Sequence, residues 1–555
     1  MSTSTQDVEV GGLSEPILLT PPPLSSFEAP FRGVVPVLKS LLSLIFWLIT
    51  ELLLLPVNII LLPFSMCCGP RYKGVTPAEL RRASVINNVS QIKPAVDSLK
   101  HAFRSGATRS HAWREQQILA ILALVKENED AILSAYSSDI GKPKCDWFLE
   151  KQAILGDANH MVVHLRELMQ IEKRSIPLWM LPGSTYIVKE PLGTALVIGP
   201  YNYPMNLCLC PIIAAVAAGC NVVLKPSEQM PASEQLLAEL LPKYMDPAAV
   251  LVVTGGVPET TALLEEKWDK IFFTGSERVA SIIERKVAGS LTPLTLELGG
   301  KSPVVVDKSA NFTVAARRIL QGKFINAGAT CIAPDYVLVE EGEAEQKLVA
   351  ALKQVTLKMF GEDPQKSEFY CRVLNKMHMD RLEGYLADAK KKGAKVAAGG
   401  QTDAADRYFA PTILTDCDAS MDCMQEEIFG PILPIVTVSS AEAAIDFVLS
   451  KPKPLGAYLF SSSWKVQRAF QSKVSSGGMC INDATVHVLG TDIPFGGVGP
   501  AGMGSYHGRE GFNCFSHCKS VYSHDTMTDG LTWFRYLPFT GFTETVMGLV
   551  MGKSW

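Results

Sequence analysis

Residues 195–228 read ALVIGPYNYPMNLCLCPIIAAVAAGCNVVLKPSE. Two short apolar runs, Ala195–Ile198 and Asn221–Leu224, flank a Gly-Pro turn and an apolar segment long enough for a helix. A run this short, closed by Gly199 and Pro200, predicts a buried strand rather than a helix. The alternation continues outward. Val250–Thr254 and Lys270–Phe273 are further strand candidates separated by helix-like segments, and a second strand–helix series runs from Ser302 to about Phe460. Strands alternating with helices predict a doubly wound α/β sheet. Upstream, residues 76–172 read as helices of mixed charge, and a β-rich ribbon follows near Trp179–Lys189. No internal repeat is visible.

The chain has 555 residues, too many for one ordinary core. Its 52 Lys+Arg against 56 Asp+Glu give a net charge of −4, so no basic surplus is available for a phosphate backbone, and nucleic acid is not an expected partner. Thirteen Cys, an odd number without CxxC pairs or Cys/His clusters, suit reduced intracellular thiols and imply no metal site. The mean hydropathy of +0.15 is high for a soluble enzyme, and the excess lies near the N-terminus.

Residues 1–40 open with a Ser-, Thr- and Pro-rich acidic stretch containing Pro21-Pro22-Pro23, and read as a disordered tail. An acidic, cation-poor start suits neither a signal peptide nor a mitochondrial presequence. Residues 41–66 form a hydrophobic membrane segment, whose apolar stretch Leu41–Phe64 carries Glu51 as its only charge. It is long enough to cross ~30 Å of hydrocarbon as a helix. Glu51, Pro56 and Pro63 interrupt it, however, and a mid-span carboxylate costs about 2.5–3.5 kcal/mol. A helix broken at Pro56 that lies in one leaflet is the rival geometry, and a buried core helix the plainer one. Cys67 and Cys68 follow as candidate palmitoylation sites beside the simpler reading of unmodified thiols. Residues 530–555 form an apolar, aromatic C-terminal tail whose core, Leu537–Met551, is too short to span.

Two apparent nucleotide motifs fail in context. Gly497-Val498-Gly499-Pro500-Ala501-Gly502 fits GxGxxG, but no strand candidate leads into it and Pro500 argues for a loop. Gly300-Lys301-Ser302 ends like a P-loop, yet the motif's first glycine would fall on Thr295. Four other segments stand in a fixed order: Gly199-Pro200-Tyr201-Asn202-Tyr203-Pro204, Leu224-Lys225-Pro226-Ser227-Glu228, Leu296-Glu297-Leu298-Gly299-Gly300-Lys301 and Asn326-Ala327-Gly328-Ala329-Thr330-Cys331. Together they resemble the aldehyde dehydrogenase superfamily. Cys331-Ile332-Ala333-Pro334-Asp335-Tyr336-Val337-Leu338, Gln425-Glu426-Glu427-Ile428-Phe429-Gly430-Pro431 and Pro494-Phe495-Gly496-Gly497-Val498-Gly499 look like its class 3 branch, which includes fatty aldehyde dehydrogenases. The resemblance covers about residues 76–540.

The resemblance implies an aldehyde dehydrogenase-like α/β fold and assigns roles that the chemistry explains. Cys331 is the expected nucleophile: its thiolate adds to the aldehyde, hydride leaves to NAD, and the thioester hydrolyses. A free thiol titrates near ~8.5, so the site is expected to favour the thiolate. For the other twelve cysteines, inert thiols are the expectation. Glu297 looks like the general base that activates the hydrolytic water, and its apolar neighbours Leu296 and Leu298 favour a buried carboxyl with a raised pKa. Asn202, with the backbone N–H of Cys331, is similar to the family's oxyanion hole. Without that context, an Asn in a Pro-bounded turn needs no such role. For NAD, Lys225 and Glu228 would grip the adenosine ribose, and a carboxylate there repels a 2′-phosphate. Gly275 and Ser276 would lie beside the pyrophosphate and nicotinamide, although Phe273-Thr274-Gly275-Ser276 is also an ordinary strand-to-helix turn. Glu427 and Phe429 look like the pair holding the nicotinamide ribose and ring, and Phe429 also suits a core. The chain departs from the family at Ala329, where Gln is frequent, and at Ala280, where Gly is frequent. These changes bear on the cysteine loop and on the cofactor's helix entrance.

The expected layout is an NAD-binding, Rossmann-type domain over 75–298 with a return segment at 491–511 and a catalytic domain over 299–490. An oligomerisation ribbon from 176–193 and 512–524 is expected to build a homodimer. The apolar anchor points to a lipophilic medium- or long-chain aldehyde, with an apocarotenoid or other isoprenoid aldehyde as the alternative. It also implies a cytosol-facing enzyme on a membrane: the endoplasmic reticulum first, a lipid droplet or the mitochondrial outer membrane as alternatives. A catalytically idle membrane scaffold and a coenzyme A-acylating reductase are the rivals from other classes. The presence of Cys331, Glu297 and Asn202 weighs against the first, and that of Glu297 against the second.

Overall fold

The parallel strands are short apolar runs buried on both faces, which is why they read as continuous rather than alternating hydrophobic segments. The structure is a computed structural model and describes residues 84–552. The tail at 1–40, the stretch Leu41–Phe64 and Cys67 and Cys68 lie outside the described residues.

The first sheet has seven strands in the order Val85–Ile86, Val250–Val253, Asn221–Lys225, Thr194–Ile198, Lys270–Thr274, Leu294–Glu297 and Gly502–Met503. All pairings are parallel except the last, where Gly502 and Met503 run antiparallel to Glu297 and Leu296. Helices cover both faces. His111–Glu127, Lys144–Leu168 and Asn206–Ala218 enclose one core, with Ile118, Leu165, Ile213 and Val222 in contact. Val89–Arg104, Val257–Glu265 and Glu277–Val287 enclose the other, around Ile92, Leu196, Leu263 and Ile283. The helix Asn206–Ala218 is apolar all round and buried along its length after Asn206, as a central helix must be. Successive strands step one way from Thr194–Ile198 to Asn221–Lys225 and the other way to Lys270–Thr274. The crevice at the carboxyl ends of these strands is therefore a topological switch point, where doubly wound sheets bind ligands.

A second sheet orders Lys395–Ala398, Thr412–Thr415, Ile432–Val438, Tyr336–Glu340, Pro303–Val306, Gly456–Phe460 and Gly478–Ile481, parallel but for its first strand. Phe312–Phe324 and Glu343–Phe360 pack on one face, and Lys376–Lys391, Ala441–Leu449 and Trp464–Lys473 on the other. A third sheet is antiparallel: Ser516–Ser523 pairs with Ser184–Pro191, which pairs with Glu172–Arg174. Two of its strands start later than the sequence suggested, and the third lies ahead of the expected ribbon. Residues 512–514 belong to the helix Gly508–Cys514, the turn Leu178–Met180 precedes Ser184, and the strand Glu172–Arg174 begins where the upstream helices were expected to end.

At the C-terminus, the helix Gly541–Gly552 exposes Phe542 and Leu549. Trp533 stacks on Phe542 at a ring separation of 6.0 Å. Among the described residues, no helix is long and apolar enough to cross a membrane.

Candidate functional site

Every residue singled out in the first sheet follows a strand end at the switch point. Thr194–Ile198 delivers Gly199 to Asn202, Asn221–Lys225 delivers Lys225 to Glu228, Lys270–Thr274 delivers Gly275 and Ser276, and Leu294–Glu297 ends on Glu297. Cys331 comes from the other layer, on the loop between the helix Phe312–Phe324 and the strand Tyr336–Glu340.

That loop has an unusual backbone. Asn326, Ala327 and Gly328 all adopt left-handed conformations, with φ of 54°, 48° and 78°. Such conformations strain non-glycine residues and persist only where surrounding bonds enforce them. Here Asp146 accepts the Asn326 N–H at 2.9 Å, and Asn326 Nδ2 donates to the carbonyls of Asn202 at 2.8 Å and Ala329 at 3.2 Å. Asn202, itself buried, donates through Nδ2 to the Ala329 carbonyl at 3.0 Å. Asn202 and the cysteine loop are thus fastened together, with one Nδ2 hydrogen already engaged. Beneath them Lys142 donates to the Asn202 carbonyl at 3.1 Å and pairs with Glu150 at 2.8 Å, both side chains fully buried. Glu150 also accepts from the Tyr136 hydroxyl and the Asn206 N–H, so this inner ion pair is well satisfied. The Tyr203 and Thr330 hydroxyls share a hydrogen bond of 2.6 Å.

Cys331, Thr330 and Tyr203 line a cavity of about 660 Å³, whose walls also include Phe495, Tyr506 and residues of two helices of the second layer. This volume lies within the ~300–1,000 Å³ range of sites that enclose a small ligand. Burial pushes the pKa of the Cys331 thiol up, and the neighbouring Glu427 and Glu297 add to the rise, while the backbone N–H groups of Cys331 and Ile332 oppose it. The sequence predicts a site that favours the thiolate; burial and the nearby carboxyl groups instead shift the thiol's pKa upward. Glu297 is buried with no hydrogen-bond partner for either oxygen, and this burial raises its pKa well above the ordinary range. Thr274, its register neighbour on the adjacent strand, has an equally buried and unpartnered hydroxyl.

Glu427 lies over Gly299, where a Cβ would come within 2.1 Å of its carboxylate. Burial lifts its pKa to about 8. Phe429, at φ 46°, packs edge-on to Tyr201 at 5.9 Å. The loop carrying both is tied by Asp335, which accepts the Ile428 N–H at 3.1 Å, and by Lys301, which donates to Asp335 and to the Cys423 and Glu426 carbonyls. Lys323 lies fully buried 3.8 Å from Asp335. Sequence reasoning missed Lys142, Asp146, Glu150, Asn326, Asp335 and Lys323 as parts of this frame. Only Asn326 and Asp335 fell within quoted motifs.

At the cofactor end, Lys225 is buried and reaches Glu228 at 3.3 Å and Glu234 at 3.7 Å, while Glu228 stays about half exposed. Ser276 caps the eleven-residue helix Glu277–Val287, whose N-terminus points into the switch point. A buried cation, an exposed carboxylate, a helix N-terminus and the orphaned Thr274 hydroxyl fit a dinucleotide's ribose, diphosphate and amide. Ala280 is buried in the core cluster that also holds Ile283 and Phe273. Ala329 contributes its carbonyl to Asn202 and Asn326, a contact that does not depend on its side chain. Among the described residues no cluster could hold a metal ion.

Residues 75–521 match the model of the Aldehyde dehydrogenase family. The chain belongs to that family. This aldehyde dehydrogenase is 43% identical over 447 residues to Aldehyde dehydrogenase family 3 member H1 of Arabidopsis thaliana, covering 80% of the chain and 92% of the relative. It is 44% identical to the rat (Rattus norvegicus) relative named "Aldehyde dehydrogenase, dimeric NADP-preferring", covering 81% and 98%. Among solved structures, the substrate-bound AldH of Staphylococcus aureus aligns with a TM-score of 0.79 at 36% identity, covering 82% of this chain and 99% of that one. Family 3 relatives recur at about this similarity, so the class 3 resemblance holds along with the fold.

Proposed function

We propose that this aldehyde dehydrogenase oxidises a lipophilic medium- or long-chain aldehyde to its carboxylic acid through a thiohemiacetal and then a thioester on Cys331, with NAD as the hydride acceptor. The observation that carries the proposal is the position of Cys331 at the floor of a largely apolar cavity, beside an orphaned carboxyl group, Glu297, and a fixed amide, Asn202. The Cys331 thiol loses its proton as sulfur attacks the carbonyl carbon, and the ionised form of Glu297, made a stronger base by the burial that raises its pKa, takes that proton. The second Nδ2 hydrogen of Asn202 and the Cys331 N–H stabilise the developing oxyanion. Bound NAD would supply the hydride acceptor needed to convert the adduct into a thioester. Glu297, ionised again once it has passed the first proton to solvent, then draws a proton from water as it attacks the thioester and returns it to the departing sulfur, which regenerates the thiol and frees the carboxylic acid.

Lys225 and Glu228 would hold the adenosine ribose, Gly275 and Ser276 the diphosphate, and Glu427 and Phe429 the nicotinamide half. The carboxylate of Glu228 favours NAD, although the rat relative is named NADP-preferring. The exposed edge of Ser516–Ser523 supports a homodimer joined at the ribbon, in line with the word "dimeric" in that name. Leu41–Phe64 would anchor the enzyme to a cytosol-facing membrane surface.

The test is NADH or NADPH formation by the purified protein with hexadecanal, a short aldehyde and an apocarotenal, with and without coenzyme A. Preference for hexadecanal with NAD and no need for coenzyme A is expected. Preference for the apocarotenal selects the isoprenoid alternative, a requirement for coenzyme A the acylating one, and no turnover of any aldehyde the idle scaffold.

A further inference from the structure

Building on the aldehyde-oxidising reading, we infer that the cavity mouth selects aldehydes whose far end carries an anion, and that Arg317 and Lys358 are the residues that recognise it.

The cavity is polarised along its depth. Its floor, with Cys331, Thr330 and Tyr203, offers no cation free to meet a substrate anion, because Lys142 beneath it is committed to Glu150. Its mouth is built from two packed helices of the second layer. Phe312–Phe324 presents Val314, Arg317, Arg318 and Gln321 at helical spacing, and Glu343–Phe360 presents Val355, Lys358 and Met359. Arg317, Arg318 and Lys358 are all exposed, which places them at the rim.

The charges at this rim do not cancel. Arg318 lies 3.5 Å from Asp483 and donates to the Asn482 carbonyl, so it is occupied in holding the loop that forms the opposite wall. Neither Arg317 nor Lys358 pairs with a carboxylate among the described residues. Two uncompensated cations thus stand over an apolar cavity in a chain whose net charge is −4. An amphiphile with an aldehyde at one end and a carboxylate at the other can satisfy both ends only with the aldehyde inward. A rim attraction of this kind acts on binding and orientation and leaves the bond-making groups untouched. Exposed pairs are individually weak and screened by salt, so each cation is worth a few-fold and the two together about fivefold to tenfold at low ionic strength.

The experiment measures kcat/KM of the full chain with its cofactor for two aldehydes of equal length, nonanal and 9-oxononanoate, at low and high salt, in the wild type and in R317Q/K358Q. The ratio of 9-oxononanoate to nonanal is expected to fall about fivefold to tenfold in the variant at low salt, chiefly through KM. In the wild type alone it should fall as salt rises. A ratio indifferent to both the substitutions and the salt overturns the inference while leaving aldehyde oxidation in place. An unchanged ratio with weakened binding of the variant to anionic phospholipid vesicles also overturns it, and assigns the cations to a lipid surface. If the wild type oxidises neither aldehyde, the functional reading beneath the inference falls, and the inference with it.

Discussion

At the scale of the residue, the chemistry rests on two groups whose pKa values burial raises. The Cys331 thiol and the Glu297 carboxyl are both buried and lie within electrostatic reach of each other, and no cation among the described residues offsets either shift. Replacing Cys331 with Ala removes the covalent step but none of the groups expected to hold the cofactor. Oxidation should fall below about 1% of wild type, with NAD binding retained by fluorescence titration. Higher residual turnover would assign the nucleophile elsewhere. Glu297→Gln should spare the first hydride transfer more than deacylation, giving a burst of NADH, a very slow steady state and an acyl-enzyme visible by intact mass. Equal slowing of both phases would place Glu297 before the thioester. The sign of the pH effect follows from the same burial. An ordinary Glu is ionised above ~4.3, but a carboxyl with a raised pKa becomes a base only at higher pH. Wild-type kcat should therefore go on climbing with pH above the range in which an ordinary Glu ionises, and a profile already flat from mildly acidic pH would contradict the raised Glu297 pKa.

At the scale of the element, the deciding structure is the left-handed turn Asn326–Gly328 that presents the thiol. A Cβ on Gly328 would lie 2.3 Å from the Gly430 carbonyl, and φ 78° is itself unfavourable for other residues. Gly328→Ala should leave a folded protein whose thiol is displaced, with kcat reduced by about 10²-fold, as small misplacements at a reacting centre do. Unchanged kcat with unchanged thermal stability would show that the turn tolerates the shift. This turn also shows what the sequence could reveal and what it could not. The parallel strands were legible because burial on both faces leaves continuous apolar runs such as Ala195–Ile198. Leu294–Glu297 escaped notice as a strand because it is short, carries Thr295 and runs straight into Gly299 and Gly300. Cys331, Glu297 and Asn202 were legible through motif order. Asp146, which fixes the turn through an N–H 180 residues away, was not, since no local pattern distinguishes it from a surface carboxylate on a helix. The upward shift of the thiol's pKa was not legible either, because it depends on burial and neighbours that only the assembled layers define.

At the scale of the whole molecule, two proposals concern how the enzyme is held. If the ribbon edge at Ser516–Ser523 pairs with a second copy, light scattering should give twice the chain's 60.4 kDa, and a single-chain mass would exclude the dimer. The other proposal separates anchoring from chemistry. Every residue assigned to catalysis or to cofactor lies after position 198, whereas Leu41–Phe64 is the longest apolar stretch of the sequence. Apolar burial contributes about 0.8 kcal/mol per CH₂, which over such a stretch far exceeds the ~2.5–3.5 kcal/mol that Glu51 costs at mid-bilayer. Removing residues 1–70 should therefore release the protein from membranes and leave turnover of a short, water-soluble aldehyde nearly unchanged. Turnover of a long-chain aldehyde presented in vesicles should fall, because enzyme and substrate no longer share a phase. The C-terminal element works against full release: Trp533, Tyr536, Phe539 and Phe542 are exposed, and aromatic side chains favour the headgroup interface. A weak residual attachment that a carbonate wash removes is therefore expected of the truncated protein. Attachment that resists carbonate as firmly as that of the full chain would mean that Leu41–Phe64 is not the principal anchor and that the exposed C-terminal helix carries the role.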